Sequence, residues 1–507
     1  MKKLFYILIL LNFNFSVFAQ QADWNEKLLL KSTQVYLDQF AIQPLRSTLI
    51  GQEFGFSGAY WDYTDGEFHT IQMPEKERNY GFFSYGNREV KGWLIEGYFR
   101  YQNQKQDSVG WKQTRNVNET PYYYGNIRRG NWRNEIFNSY INASKFFFGD
   151  KLGIGIGVDY SLQTHSRGND PRPLINYYLI KPKVQISYRF IENHQIAAGV
   201  QILSAKERGS VSNFNQSNDS FGRSEYNIYT MMGGASFNLL RRPNYELFDE
   251  GYGISAAYYY TGENLKISNE FNYSLSQKQF NRRGVEGSQR IFEEIGFYDI
   301  DIIENKIFVE YQNQSSVIQA VGKLQVSQGT DFNNLLVGNN FQQDDYSYGL
   351  DIFYTFKNLN NFNLYSTINH NTHAMRDFNA SHAYEIINFN YGIGAQFPLK
   401  VSKKLTFYPE LSINWNQNLD QIVNIIPNQI NVVSRSIMIP NIDYFSSEFR
   451  QIQATLSARY SLGKFDLNPV IFGNFNNFQP LTTLNSDYFE IRNTQRQTIG
   501  FSINFIH

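Results

Sequence analysis

From residue 452 onward the chain alternates apolar and polar side chains with almost no interruption. Ile452, Ala454, Leu456, Ala458, Tyr460 and Leu462 fall on one face of an extended backbone, and Gln453, Thr455, Ser457, Arg459 and Ser461 on the other. After a break at 463–464 the pattern restarts with Phe465, Leu467, Pro469 and Ile471 against Asp466 and Asn468. The last run sets Ile499, Phe501, Ile503 and Phe505 against Thr498, Gly500, Ser502 and Asn504. In a soluble sandwich such runs average about five or six residues. These are longer, and a tilted strand of about 9 to 11 residues is what crosses a bilayer. Only a closed barrel leaves no backbone polar group unpaired in lipid. The pattern therefore predicts an all-β fold, a transmembrane antiparallel β-barrel closed by a strand at the C-terminus.

Earlier segments repeat the alternation. Even-numbered residues from Leu152 to Leu162 are apolar and predicted to face lipid, while Gly153, Asp159, Ser161 and Gln163 face the lumen. The runs 183–190, 347–354 and 405–415 read the same way. This places the charged side chains of Asp159, Arg189, Asp351, Glu410 and Arg459 on the inner wall, hydrated or paired, where they avoid a midplane cost of about 2 to 4 kcal/mol in lipid. Short turns fall at 149–151, 191–193, 357–361 and 463–464, and long connections at about 104–133, 207–224, 328–343 and 419–445. Barrels of this kind have short periplasmic turns and long extracellular loops. Between 251 and 303 the apolar phase flips across 262–264, which fits either a hairpin or a bulge in one long strand. Keeping the long loops on one side favours the bulge, and the count comes to about eighteen strands, within a range of 16 to 20.

Composition sharpens this picture. Of 507 residues 17% are aromatic, with 36 Tyr and 43 Phe, as interfacial girdles require. Beyond the first twenty residues no apolar run approaches the length of a membrane helix, which excludes a helical membrane protein. Met1, Lys2 and Lys3, an apolar core and Val17 and Ala19 before a cleavage point read as a signal peptide over 1–19. Residues 20–50 then form a periplasmic arm or short helix, with Leu28, Leu29, Val35, Tyr36 and Phe40 on one side, and 51–507 the barrel. The segment is too short for a folded plug domain, which argues against active transport by this chain alone. No cysteine is present and the formal net charge is zero, so disulfides are impossible and a basic footprint for nucleic acid is missing.

Candidate chemistry is sparse. His370, His373 and His382 invite a metal site, but residues three apart on a strand face opposite sides, and rim positions explain them as well. No GxSxG, HExxH or phosphate loop occurs, so no catalytic, cofactor or metal residue is assigned and a hydrolase is the least favoured class. Arg128, Arg129 and Arg133, around Gly130 and Trp132, form a basic aromatic segment suited to lipopolysaccharide phosphates, an anionic solute or a partner, or simply a solvated loop. Gly168, Asn169, Asp170, Pro171, Arg172 and Pro173 form a second distinctive loop, with Arg172 held between prolines that fix the backbone.

With these two segments and the run Tyr63 to Phe68, the chain resembles an outer-membrane β-barrel family of Bacteroidota of unknown function. The resemblance implies an envelope location and a single-chain barrel, and it suggests company with TonB-dependent receptors and surface lipoproteins in nutrient or metal uptake. The expected partners are outer-membrane lipid and lipopolysaccharide, the barrel assembly machinery, and a receptor or lipoprotein of that kind. The expected function is a non-enzymatic barrel of the cell outer membrane that passes or binds a solute. The alternative is a structural or assembly subunit with an occluded barrel. Arg128, Arg129, Trp132, Arg133, Asp170 and Arg172 are the expected mouth contacts.

Overall fold

A computed structural model describes residues 29–31, 33–34, 53–219, 223–240, 243–286, 289–463, 465–479 and 494–507. Eighteen antiparallel strands form one closed wall. Each strand pairs with the next, and the first, Phe54–Asp65, pairs with the last, Gln495–Ile506, from Phe56 opposite Ile506 to Asp65 opposite Gln497. No edge remains, which removes the exposed row of backbone donors and acceptors an open sheet would present. Short turns gather at one end of the wall, together with both ends of the strand order. There Gly149 and the pair Asn360 and Asn361 take left-handed backbone with φ of 63°, 53° and 61°.

The side-chain register follows the alternation. Ile156, Tyr160 and Leu162 are exposed on the outer face, whereas Gly153, Gly155 and Ser161 are buried within. Two aromatic bands bound the outer apolar surface. Phe148, Tyr188, Phe190, Phe465 and Phe505 lie toward the short turns, and Tyr80, Tyr160, Tyr178, Tyr252 and Tyr348 toward the long loops. Tyr178 and Tyr188 are ten residues apart on the strand Arg172–Ile191, about 33 Å along the chain and about 25 Å along a barrel axis inclined by about 40°. That is the height of a hydrocarbon band. A shallow apolar groove lined by Trp61, Leu456, Ile471 and Phe501 belongs to the same belt.

Two expectations are corrected. The phase flip at 262–264 is a hairpin and not a bulge: Asn244–Thr261 and Leu265–Glu286 pair from Thr261 opposite Lys266 upward. A second reversal, with Glu286 opposite Gln289, restores parity. It escapes a periodicity argument because its strands, Leu265–Glu286 and Gln289–Gln312, have 22 and 24 residues and lose the strict apolar–polar alternation in their upper parts. For the same reason the long connections are shorter than expected. Trp93–Val109 and Gly130–Phe147 claim both ends of the 104–133 stretch, and the strand His194–Ser212 extends past 207.

The described parts of the connections after Val109, Ser212 and Asn424 do not stand away from the wall; they fold into it. Within the barrel Tyr122–Gly125, Ile228–Met232 and Ser236–Leu240 form a three-stranded sheet, with Ile228–Met232 in the middle. Tyr122 and Tyr124 pack on the wall residues Tyr245, Leu247 and Phe280. The connection after Leu405–Asn424 supplies a turn of π-helix, Ser434–Met438, and the short helix Ile439–Phe445, whose Met438 and Ile442 bury against Tyr298, Phe341, Tyr384 and Ile386.

Candidate functional site

Buried carboxylates latch these loops to the wall. Glu207 accepts hydrogen bonds from Thr114 Oγ1 at 2.6 Å, Arg115 N at 3.2 Å and the Tyr245 hydroxyl at 2.5 Å, and Arg115 Nε lies 3.3 Å from its other oxygen. Asp331 accepts from the Tyr122 hydroxyl and from Asn340 N and Phe341 N at 2.7 and 2.6 Å. Asp377 takes Gly234 N and Ala380 N, both at 2.6 Å. A buried carboxylate with three donors is inexpensive, and one left without them is costly. Each latch therefore depends on keeping its own donors.

Under this roof lies a cavity of about 880 Å³. Its lining combines rings and thioethers (Tyr123, Met375, Phe449, Phe478) with amides and two cations, Lys112 and Arg496. Arg496 is committed to the loop 66–75, donating to the carbonyls of Gly66 at 2.9 Å and Pro74 at 3.0 Å. Lys112 lies over the Trp132 ring at 5.3 Å. Burial pulls its ammonium down to about 8, against the opposing pull of Glu207. Above the cavity Asp443, on the short helix, is pushed up to about 6 by burial.

The two motif segments brace each other. Asn131 N donates to Asn169 Oδ1 at 3.1 Å, Gly168 N to Asn131 O at 3.2 Å, and Asn169 Nδ2 to Arg129 O at 3.2 Å. A Cβ at Gly130 would stand 2.3 Å from Arg167 Cδ, so the buried arginine fits only beside glycine. Asp170 captures the next loop, accepting from Phe214 N at 2.9 Å, Asn215 N at 3.0 Å, Asn218 Nδ2 at 3.1 Å and Arg172 Nε at 2.8 Å. Burial alone would raise its carboxyl, but these donors hold it below the usual range.

The expected mouth residues do not form one cluster. Arg128 stacks on Tyr226 at 4.7 Å, Arg129 pairs with Glu75, and Arg172 stacks on Phe214 at 4.7 Å. Trp132 and Arg133 belong to the strand Gly130–Phe147 and not to a loop, with Trp132 buried inside and Arg133 exposed on the opposite face. Among the lumenal charges Asp159 lies 2.6 Å from Lys183, Asp351 2.6 Å from Lys323 and Arg459 2.7 Å from Asp466. Arg189 stacks on Phe146 at 5.3 Å. Glu410 pairs with Lys31 at 3.0 Å, and Lys31 N and Leu29 O bond to Gln396. Leu29 and Leu30 pack there against Phe54, Tyr408 and Ile506. Residues 1–19, expected from the sequence to be a signal peptide, and the rest of 20–50 lie outside the described residues.

The histidines diverge. His370 sits outside beside Tyr348, while His373 points inward to Asp345 and Tyr384. His382 Nε2 meets Ser434 Oγ at 3.1 Å, a contact not foreseen from the sequence. Ile426 N points at its Nδ1 at 3.4 Å and Ser434 Oγ donates to Gly234 O. The serine hydroxyl proton is thus committed to the Gly234 carbonyl and not to the ring. Both residues are buried, and the pair staples loop to loop. Sequence reasoning also missed the inner amides. Their signal was there in Asn369 and Asn371, Asn388 and Asn390, Asn414, Asn416 and Asn418, and Asn474 and Asn476, each set on alternate positions.

Among curated proteins none matches the chain. Solved structures similar to it include the ferric-catecholate import receptor Fiu from E. coli K12 in its open form, at 7% identity and TM-score 0.39, covering 89% of this chain and 81% of that one. The siderophore receptor PiuA from Acinetobacter baumannii is similar at 10% identity and TM-score 0.43, covering 90% and 82%. A Pseudomonas aeruginosa FadL homologue is similar at 10% and 0.32, covering 92% of both chains. Residues 45–507 match the model of the family described as "Family of unknown function (DUF6850)", and the chain belongs to that family.

Proposed function

We propose that this chain is a non-enzymatic barrel of the cell outer membrane that holds a solute in its lumen and passes it inward when the loop roof loosens, within a nutrient uptake system. The observation that carries this reading is the cavity of about 880 Å³ bounded by the inner wall and the latched loops. Pockets of about 300 to 1,000 Å³ are the size that small solutes occupy. The outer apolar belt supports lipid and lipopolysaccharide as its surroundings, and the long loops then face outward.

The occluding sheet also favours a second reading, a subunit whose closed barrel serves a partner such as a TonB-dependent receptor or surface lipoprotein. Planar-bilayer recording separates the two. The wild-type protein is expected to stay closed, and Glu207→Gln combined with Asp331→Asn to give steady conductance while retaining the heat-dependent gel shift of a folded barrel. A variant that stays folded and closed, with a partner co-purifying, would replace the first reading with the second.

A further inference from the structure

We infer that the cavity and the wall beneath it receive a neutral, polyhydroxylated solute of the oligosaccharide class, an inference that rests on the solute-binding reading and names what the site takes. The inner wall is divided. On the strands from Leu265–Glu286 to Phe341–Phe356 it carries charges in pairs, such as Lys266 with Glu310 at 3.0 Å and Lys323 with Asp351 at 2.6 Å. The adjoining arc keeps its charge pairs, Lys31 with Glu410 and Arg459 with Asp466, toward the short turns and carries amides above them. Asn369, Asn390 and Asn416 stand abreast on three neighbouring strands. Asn414, Gln451 and Asn476 form a second row, with Asn414 Nδ2 donating to Gln451 Oε1 at 3.0 Å.

Inward positions from 412 to 418, 449 to 457, 468 to 478 and 498 to 506 hold no charged residue. The second row runs up into the cavity, where Phe449 and Phe478 lie with ring centroids 5.3 Å apart beside it. The Oδ1 atoms of Asn441, Asn474 and Asn476 are buried and accept no hydrogen bond from any described residue.

This surface discriminates by chemistry. An apolar solute would strip water from the amides and return nothing, at a cost for every group left unpaired. An anion would find two cations in the lining, Lys112 and Arg496, but Arg496 already donates to the carbonyls of Gly66 and Pro74, and beside them stands a carboxylate, Glu77, bonded by Asn79 and Gln106. A carboxamide both donates and accepts. Two of them side by side match adjacent hydroxyls, and the rings supply faces for the C–H side of a sugar.

The test uses the full-length protein in lipid nanodiscs, wild type and Glu207→Gln, titrated calorimetrically with maltotriose, cellotriose and mannotriose, and with citrate and decanoate. Saturable binding of at least one trisaccharide is expected, changing less than about twofold between about 0.1 and 1 M NaCl because no charge pair is involved. Asn474→Leu with Asn476→Leu should weaken it about tenfold or more. Phe449→Ala, which leaves the wall hydrogen bonds intact, provides an independent variant with the same expected direction. Citrate or decanoate binding without any trisaccharide overturns the solute class and leaves the solute-binding reading standing. No binding by any probe, together with a closed unlatched barrel, overturns both.

Discussion

Asp443 is a buried carboxyl whose Oδ1 has no hydrogen-bond donor among the described residues, on the helix that roofs the cavity. Burial raises its folded value from 3.8 to about 6. The folded state therefore binds the proton more tightly than the unfolded one. The stabilisation is fully present below about 4 and is lost as pH rises through about 6, amounting to at most about 3 kcal/mol. Asp443→Asn should melt higher than wild type at pH 7, with the difference vanishing near pH 4; a pH-independent difference would show that Asp443 does not titrate in this range. At this scale the sequence was informative about type and misleading about role. The prolines around Arg172 suggest a loop, but Arg172 and Pro173 open the strand Arg172–Ile191, and Asp170 beside them holds the loop at 214–218, a contact 44 residues or more away that no local pattern displays. Gly130 is likewise explained only by Arg167, which a Cβ would strike.

At the scale of elements, the closing strand is the clearest case of legibility. Its alternation named both its faces, and its pairing partners are Phe54–Asp65 on one side and Asp466–Gln479 on the other. Removing residues 497–507 would expose two long edges and leave outward Phe501, Ile503 and Phe505 with no wall to complete. The truncated chain is expected to accumulate unfolded outside the membrane, with no heat-dependent gel shift in the outer-membrane fraction; a shifting, membrane-embedded species would refute the closing role. The loops were legible only as interruptions. Tyr122, Tyr123 and Tyr124 alternate between the wall at Phe280 and the loop residue Met231 because they form an inner strand, and that strand exists only through partners about a hundred residues downstream. A short element whose every partner is distant has no periodicity of its own to announce it.

The whole molecule combines a wall fixed by local alternation with a roof fixed by distant contacts, so the two should separate experimentally. The wall's outer and inner faces are only three residues apart at Ile156 and Asp159 on the strand Leu152–Arg167. Ile156 is 48% exposed on the outside, while Asp159 faces the lumen 2.6 Å from Lys183. In intact cells, Ile156→Cys should react with a lipid-soluble maleimide and not with a membrane-impermeant one, because lipid covers it. Asp159→Cys should resist both: the belt blocks the first reagent and the latched loops block the second. Adding Glu207→Gln removes the charge that holds Thr114, Arg115 and Tyr245 together, and breaking such a buried pair costs about 3 to 5 kcal/mol. Asp159→Cys should then label with the impermeant reagent while Ile156→Cys stays unchanged. Equal labelling of Asp159→Cys with and without the latch would mean that the loops do not seal the outer mouth, and impermeant labelling of Ile156→Cys would place the register off by one residue.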